Sequence, residues 1–122
     1  MRQIPSAIST LLLLCGMALS QTLDTGILGT VTDPTGAAVA GAAVTITQTA
    51  TGVKRNSVTA ADGKYEVRYL VPGEYTVQVT ASGFRAAQAT NLTLQLNQQA
   101  RLDVPLQVGD VQQTVEVTAA SG

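Results

Sequence analysis

Residue types that catalyse reactions or hold metals are scarce in this chain of 122 residues, which has eight Asp and Glu, one Cys and no His. Without His, the chain lacks the commonest metal ligand and the commonest general base near neutral pH. Four aspartates are candidate calcium ligands: Asp33, Asp62, Asp103 and Asp110. Their spacing matches no compact calcium loop, and two of them fall in predicted turns, where Asp is common anyway. The sequence therefore predicts no metal, no cofactor and no enzymatic activity.

The other charged residues fit a solvated surface better than a binding site. Glu66 and Glu74 alternate with apolar residues on neighbouring predicted strands, so their side chains are expected to point outward. Lys54 and Arg55 form a short basic pair on a polar segment. The net charge is −1 and only 12% of the residues are charged, which leaves no basic patch to neutralise nucleic-acid phosphates. We expect no nucleic-acid partner.

The first twenty residues have the layout of a secretory signal peptide. A cationic start at Arg2 precedes an apolar run over 7–19, and small residues lead to a cleavage site after Ser20. The run is too short for a comfortable membrane span, which takes about 20 apolar residues. The alternatives are a buried N-terminal helix and lipid attachment at Cys15. We expect export of the protein and removal of residues 1–20.

From residue 21 to residue 108 the hydrophobic pattern has the period of two that is typical of β-strands. Alternate residues of a strand face the same side, so the apolar rows are predicted to face a core that Phe84 joins. These rows are Tyr65, Val67 and Tyr69; Tyr75, Val77 and Val79; Leu92, Leu94 and Leu96; and Leu102, Val104 and Leu106. Further strands are expected over 27–31, 44–47 and, at a polar edge, 53–58, with Val115 and Val117 as a last short one.

Turn signals separate these strands at regular intervals. The predicted turn residues are Asp33, Pro34 and Gly36, then Asp62 and Gly63, then Pro72 and Gly73, and finally Gly83. Proline followed by glycine has the residue types of a type II turn, and Asp-Gly supplies the left-handed conformation of a tight hairpin. About seven short strands with such turns, and no helix after the signal peptide, predict an all-β antiparallel sandwich.

Three stretches of the chain, over 29–44, 59–67 and 70–84, resemble the carboxypeptidase regulatory-like domain family. The resemblance implies a transthyretin-like, seven-stranded Greek-key β-sandwich over residues 21–108. In carboxypeptidases the module accompanies a separate zinc domain, and no equivalent of that domain's His ligands exists in this chain. Similar folds are also classed with carbohydrate-binding modules, which makes a glycan an alternative ligand.

The tail over 109–122 contains a segment that resembles the TonB box of TonB-dependent outer-membrane transporters. Its residues are Thr114, Val115, Glu116, Val117, Thr118 and Ala119. The resemblance implies recognition by TonB, or by another periplasmic protein, through addition of this extended segment to the edge of the partner's sheet. Main-chain hydrogen bonds would supply affinity, and alternate side chains would supply selectivity. The alternative is that Val115 and Val117 belong to the last strand of the sandwich or to a linker.

The order of signal peptide, sandwich and box resembles the N-terminal extension of Oar-like TonB-dependent receptors. Such receptors continue into a plug and a barrel, neither of which lies in these residues. The expected function is thus that of a non-enzymatic exported interaction domain at the periplasmic face of the outer membrane, attached to the membrane only through that barrel. The alternative is a secreted or cell-surface glycan-binding sandwich.

Overall fold

The structure is a computed structural model that describes residues 24–117, and all regular secondary structure within this range is β-strand. No helix in these residues is long and apolar enough to cross a membrane. The predicted signal peptide with Cys15 lies outside the described residues, and so do Thr118 and Ala119. In chain order the strands are β1 (Gly26–Thr32), β2 (Ala43–Gln48), β3 (Lys54–Val58), β4 (Lys64–Val67), β5 (Gly73–Thr80), β6 (Ala86–Leu94), β7 (Gln99–Arg101), β8 (Val104–Pro105) and β9 (Thr114–Glu116).

The strands form two sheets around one core. The smaller sheet has the order β4-β1-β7, with β8 also paired to β1, and the larger has the order β3-β2-β5-β6-β9. This arrangement confirms the predicted all-β sandwich. Residues 24–117 contain nine strands rather than the expected seven. The pairing is mixed rather than wholly antiparallel, because β1 pairs in parallel with β7 and β8, and β6 with β9.

One of the additional strands arises because the pairing with β1 is interrupted between β7 and β8, at Leu102 and Asp103. The Leu102 carbonyl accepts a hydrogen bond of 2.6 Å from the Tyr65 hydroxyl. The backbone N–H of Thr30 is instead satisfied by Oδ1 of Asp103 at 3.0 Å. Gly29 permits this close approach, because a Cβ there would overlap the Leu102 carbonyl oxygen. One continuous alternating pattern therefore becomes two short strands.

Most of the predicted inward rows are buried in the core. The buried members are Tyr65, Val67, Tyr75, Val77, Val79, Leu92, Leu94, Leu102, Val104 and Leu106. Burial of such side chains contributes about 1.5–3 kcal/mol each relative to exposure, before the ordering of the chain is subtracted. Phe84, also expected in the core, is partly buried and packs against it.

Two residues predicted to face the core are exposed. Tyr69 is 56% exposed because β4 ends at Val67, after which a positive φ of 61° at Tyr69 breaks the alternation and Leu70 is buried instead. Leu96 is 61% exposed because β6 ends before it and the chain turns, with a positive φ at Asn97. In both cases the period of two continues in the sequence beyond the end of the strand.

The turn after β1 is organised by the carboxylate of Asp33. Its Oδ1 accepts hydrogen bonds from the Thr35 hydroxyl at 2.7 Å and from the backbone N–H groups of Thr35 and Ala37, both at 2.9 Å. These bonds, the hydroxyl bond first, hold the pKa of Asp33 below its ordinary value. Pro34 occupies the second position, and the N–H of Gly36 closes the turn on the Asp33 carbonyl at 2.9 Å.

The turn before β4 places Gly63 at a φ of 76°. The N–H of Gly63 donates to the Ala60 carbonyl at 2.8 Å, and Oδ1 of Asp62 accepts from the Lys64 N–H at 3.1 Å. A Cβ at Gly63 would come within 2.7 Å of the Val31 carbonyl oxygen, so this turn packs directly on β1.

The segment Pro72-Gly73 does not form the predicted type II turn. Gly73 has a φ of 151°, whereas the third position of a type II turn needs about +80°. The reason is that Gly73 already belongs to β5, where it pairs with Leu94 of β6. Gly83, with a φ of 85°, lies in the turn that follows the end of β5 at Thr80.

Candidate functional site

The tail segment forms the outermost strand of the larger sheet. Thr114–Glu116 pairs in parallel with Ala86–Gln88 of β6. The Ala86 N–H donates to the Gln113 carbonyl, and the Val117 N–H donates to the Gln88 carbonyl, both at 2.8 Å. The tail residues up to Val117 are thus part of the folded sandwich, which agrees with the alternative in which Val115 and Val117 belong to its last strand.

A tight turn brings the tail back to β6. The backbones of Phe84 and Val108 form an isolated antiparallel bridge, after which the Gly109 N–H donates to the Gly83 carbonyl at 3.2 Å. The Asp110 carbonyl then accepts from the N–H of Gln113 at 2.9 Å. The position of β9 is therefore fixed by a turn of its own as well as by the pairing with β6.

Strand β9 leaves one of its edges unpaired within residues 24–117, since its only neighbour there is β6. The side chains of Thr114 and Glu116 are exposed, while those of Val115 and Val117 are partly buried against the sheet. Glu116 accepts a hydrogen bond of 3.2 Å from the Thr90 hydroxyl. An open edge with exposed alternate side chains is the geometry that strand addition requires.

The opposite edge of the same sheet is β3, whose only partner in the described part of the chain is β2. This position confirms the prediction of a polar edge strand. Lys54 and Arg55 lie on β3, and charged side chains, lysine above all, discourage the pairing of an edge strand with other chains. Since β9 carries no cation, it is the less protected edge of the larger sheet.

The sequence did not identify a groove at the end of the sandwich where β4 ends and β5 begins. Its volume is about 270 Å³. Tyr69, Val53 and Val71 lie in it with 56%, 57% and 46% of their surface exposed. The remaining lining residues are Gln48, Arg55, Leu70 and Tyr75. The consecutive apolar residues Tyr69, Leu70 and Val71 were the available signal, because alternation allows only one of two neighbours to face the core.

The loop that presents Tyr69 is held by four hydrogen bonds. Arg55 donates from its guanidinium to the carbonyls of Arg68 at 3.0 Å and Tyr69 at 3.5 Å. The Tyr75 hydroxyl donates to the Val71 carbonyl at 2.6 Å, and burial raises the pKa of this phenol. The N–H of Leu70 donates to the Thr25 carbonyl at 2.8 Å. These contacts hold Tyr69 in a backbone conformation that costs a non-glycine residue about 1–3 kcal/mol.

The guanidinium of Arg68 lies over the Tyr69 ring, 5.5 Å from its centroid. Arg68 is also paired with Asp24 at 2.9 Å and more distantly with Glu66 at 3.8 Å. The hydrogen bond with Arg68 is the main cause that lowers the pKa of Asp24. Carboxylates thus offset the charge of Arg68, whereas Arg55 forms no ion pair within residues 24–117.

Each of the four candidate calcium ligands accepts a hydrogen bond from the protein backbone. Asp33 and Asp62 accept from their turns, Asp103 from Thr30, and Oδ1 of Asp110 from the N–H of Gln112 at 3.1 Å. Within the described part of the chain, no three His, Cys, Asp or Glu residues come together as a metal site.

A family model described as the carboxypeptidase regulatory-like domain matches residues 26–107. The match ends before β9, so the tail strand lies outside the matched residues. No curated protein matches the chain.

Solved structures share the fold at low sequence identity. A "putative carbohydrate binding protein" from Bacteroides uniformis is 18% identical with a TM-score of 0.56, covering 69% of this chain and 41% of its own. A streptococcal ancillary pilin is 16% identical with a TM-score of 0.58, covering 73% and 34%. Hydroxyquinol 1,2-dioxygenase from Pseudomonas putida is 12% identical with a TM-score of 0.53, covering 76% and 59%.

This chain spans less than two thirds of the length of each of these three proteins. At such identities the likeness shows the sandwich fold alone, because one fold carries many functions. The family match covers more than half of the chain and includes both sheets of the sandwich. The chain therefore belongs to the carboxypeptidase regulatory-like domain family, a non-catalytic regulatory fold.

Proposed function

We propose that this protein is a non-catalytic exported interaction domain whose tail strand is recognised by a periplasmic partner of the TonB kind. The observation that carries the proposal is the position of β9, beyond the family match and at an open edge of the larger sheet. The corresponding receptor context is the N-terminal periplasmic extension of a TonB-dependent outer-membrane receptor. The signal-peptide layout of residues 1–20 agrees with such a location.

Recognition by strand addition can use β9 in two ways. A partner strand can pair with the free edge of β9 while β9 stays on β6. Alternatively, β9 can leave β6 and join the partner's sheet. The pairing with β6 spans only three residues, so its release disrupts few hydrogen bonds.

Proline substitutions distinguish these two routes, because successive peptide groups of a strand point to opposite sides. The Gln113 carbonyl and the Val117 N–H form hydrogen bonds with β6, so the N–H groups of Thr114 and Glu116 point to the free edge. The variant Glu116→Pro removes a donor from the free edge, and Val117→Pro removes a donor to β6. Binding to the purified periplasmic domain of TonB is measured by isothermal titration calorimetry.

Pairing at the free edge predicts that Glu116→Pro weakens binding by about tenfold or abolishes it, which corresponds to about 1.4 kcal/mol or more. Under this route Val117→Pro leaves the affinity nearly unchanged. Release from β6 predicts that Val117→Pro strengthens binding, because the strand no longer has to leave its place. The absence of binding by the unmodified protein would contradict recognition by TonB.

A second function, glycan binding, is favoured by one observation: the exposed Tyr69 ring lies in a groove that the polar side chains of Arg55 and Gln48 also line. The fold shared with the Bacteroides uniformis protein supports the same class of ligand. Saturable binding on a polysaccharide array supports this function, and its absence on an array of broad composition contradicts it.

A further inference from the structure

The groove beside Tyr69 has no acidic residue in its lining and contains one cation, Arg55, that forms no ion pair within residues 24–117. A guanidinium has five N–H donors, and the carbonyls of Arg68 and Tyr69 accept two bonds from Arg55. The remaining donors are available to a ligand. Planar guanidinium groups match carboxylates particularly well, because they can donate two parallel hydrogen bonds.

The wall of the groove next to this cation is apolar and partly aromatic. Arg68, which does not line the groove, lies over one face of the Tyr69 ring. The opposite face is also negative and attracts polarised C–H groups, as found on one side of a pyranose ring. Val53 and Val71 extend the apolar wall, and the Gln48 amide lies in the lining as a further polar group. A sugar ring, with a C–H face and a rim of hydroxyls, matches this distribution.

The size of the groove and its backbone favour a sugar unit over a peptide. A volume of about 270 Å³ is below the range of about 300–1,000 Å³ for pockets that bind drug-sized ligands. Peptides usually bind by pairing with a free strand or by laying a helix into a long groove. The carbonyls of Arg68, Tyr69 and Val71 already accept hydrogen bonds from Arg55 and Tyr75, so this loop presents no free strand edge.

From the apolar wall and the unpaired cation, we propose that this groove binds one unit of an acidic polysaccharide, a uronic acid. The sugar ring stacks on Tyr69, and its carboxylate pairs with the guanidinium of Arg55. The strained backbone of Tyr69 and the bonds that hold its loop fix the ring before the ligand arrives. This inference rests on the second proposed function, glycan binding, and names the ligand class and the site.

The test is calorimetric titration of the full chain with oligogalacturonate. The fully methyl-esterified oligomer is the matched neutral ligand, and polyglutamate is a matched anion without sugar rings. We expect saturable binding of oligogalacturonate, about tenfold weaker binding of the ester, and weaker binding at high salt because the charge pair is exposed and screened. Equal affinity for the ester overturns the acidic specificity while glycan binding stands. Equal affinity for polyglutamate would show that the sugar ring is not recognised, and would overturn the proposal that the ligand is a uronic acid.

Three variants locate the site. Tyr69→Asn removes the ring but keeps a residue that tolerates a positive φ, so the fold is retained and binding is lost. Arg55→Gln is expected to reduce the affinity for oligogalacturonate by about tenfold more than the affinity for the ester, which loses only the support that Arg55 gives to the loop of Tyr69. Lys54→Gln is the control, because it changes the net charge equally at a neighbouring position whose side chain points to the other face.

Unchanged affinity of Tyr69→Asn or Arg55→Gln overturns the assignment of the groove. Thermal unfolding of each variant is measured in parallel, and the loss of binding counts only where the midpoint is retained. If neither the oligomer nor its ester binds to the unmodified chain, this inference fails. The glycan-binding function fails only if the polysaccharide array also shows no binding, and the recognition of β9 by a periplasmic partner is unaffected in either case.

Discussion

Tyr69 shows how a single backbone angle decides between core and surface. Its position in the row with Tyr65 and Val67 predicted burial, and those two residues are indeed buried. The left-handed conformation at Tyr69 turns its ring outward and Leu70 inward. The residue type does not predict this left-handed conformation, because tyrosine rarely adopts it. The contacts of Arg55 and Tyr75 that stabilise the loop come from β3 and β5, and such tertiary contacts are not visible in a local pattern.

The pKa of a single residue, Asp33, leads to a prediction about how the stability of the protein depends on pH. Its folded-state pKa lies below the ordinary value, chiefly because the Thr35 hydroxyl and the Ala37 N–H bond its ionised form. A group with a depressed folded pKa contributes stability above its unfolded pKa of about 3.9, and this contribution is lost as pH falls through the folded pKa. Asp33→Asn keeps an oxygen acceptor but does not titrate.

We therefore expect the thermal midpoint of Asp33→Asn to fall less than that of the unmodified protein between pH 5 and a pH below 3. The measurement is a series of melting curves followed by circular dichroism across this range. Parallel pH profiles for the two proteins would contradict a role of Asp33 in acid sensitivity. Asp24, whose pKa is also lowered, mainly by Arg68, accounts for part of the acid sensitivity that remains.

At the scale of elements, the strands were predictable where alternation and turn residues agreed. Strands β1, β2 and β5 contain the expected runs, β4 contains its expected run only as far as Val67, and β3 lies at the expected edge. The division between β7 and β8 was not predictable, because it depends on the approach of the Leu102 carbonyl to Gly29 and on the bond from the Thr30 N–H to Asp103, which join residues far apart in sequence. The groove was missed for the same reason, since its residues come from separate segments that only the fold brings together.

Two glycines with the same backbone angle allow the packing of a turn to be measured. Gly63 and Gly41 both have a φ of 76°. A Cβ at Gly63 would come within 2.7 Å of the Val31 carbonyl oxygen, whereas a Cβ at Gly41 would meet nothing within 4 Å. Alanine at either position incurs the cost of a left-handed conformation, about 1–2 kcal/mol. Only alanine at Gly63 also displaces the backbone of β1.

We expect Gly41→Ala to lower the free energy of unfolding by about 1 kcal/mol and Gly63→Ala to lower it by about 2–4 kcal/mol. Urea denaturation of the two variants and of the unmodified protein measures the difference. Equal losses would mean that β1 yields to the added methyl group without cost, and that the turn before β4 is not tightly packed on it.

At the scale of the whole molecule, the family's domain and the tail strand are separate in sequence but joined in one sheet. The family match over 26–107 contains both sheets of the core, and β9 adds only a short parallel pair beyond it. Strand β9 covers Ala86–Gln88, the first three residues along the edge of the nine-residue strand β6. An uncovered strand of that length presents unpaired N–H and C=O groups that can pair with a second chain.

Truncation after Val108 tests this role of the tail. The core residues are retained, so the shortened chain is expected to fold with a thermal midpoint only a few degrees lower, as about 1 kcal/mol would produce in a domain of this size. The exposed edge of β6 is expected to cause self-association that increases with concentration, measured by analytical ultracentrifugation.

A substitution on β6 separates this cause from general instability. Gln88→Pro removes a backbone donor from the exposed edge of that strand and should restore the monomer if the edge is responsible. A truncated chain that stays monomeric at all concentrations would show that β6 needs no cover, and the docking of β9 would then serve its recognition alone.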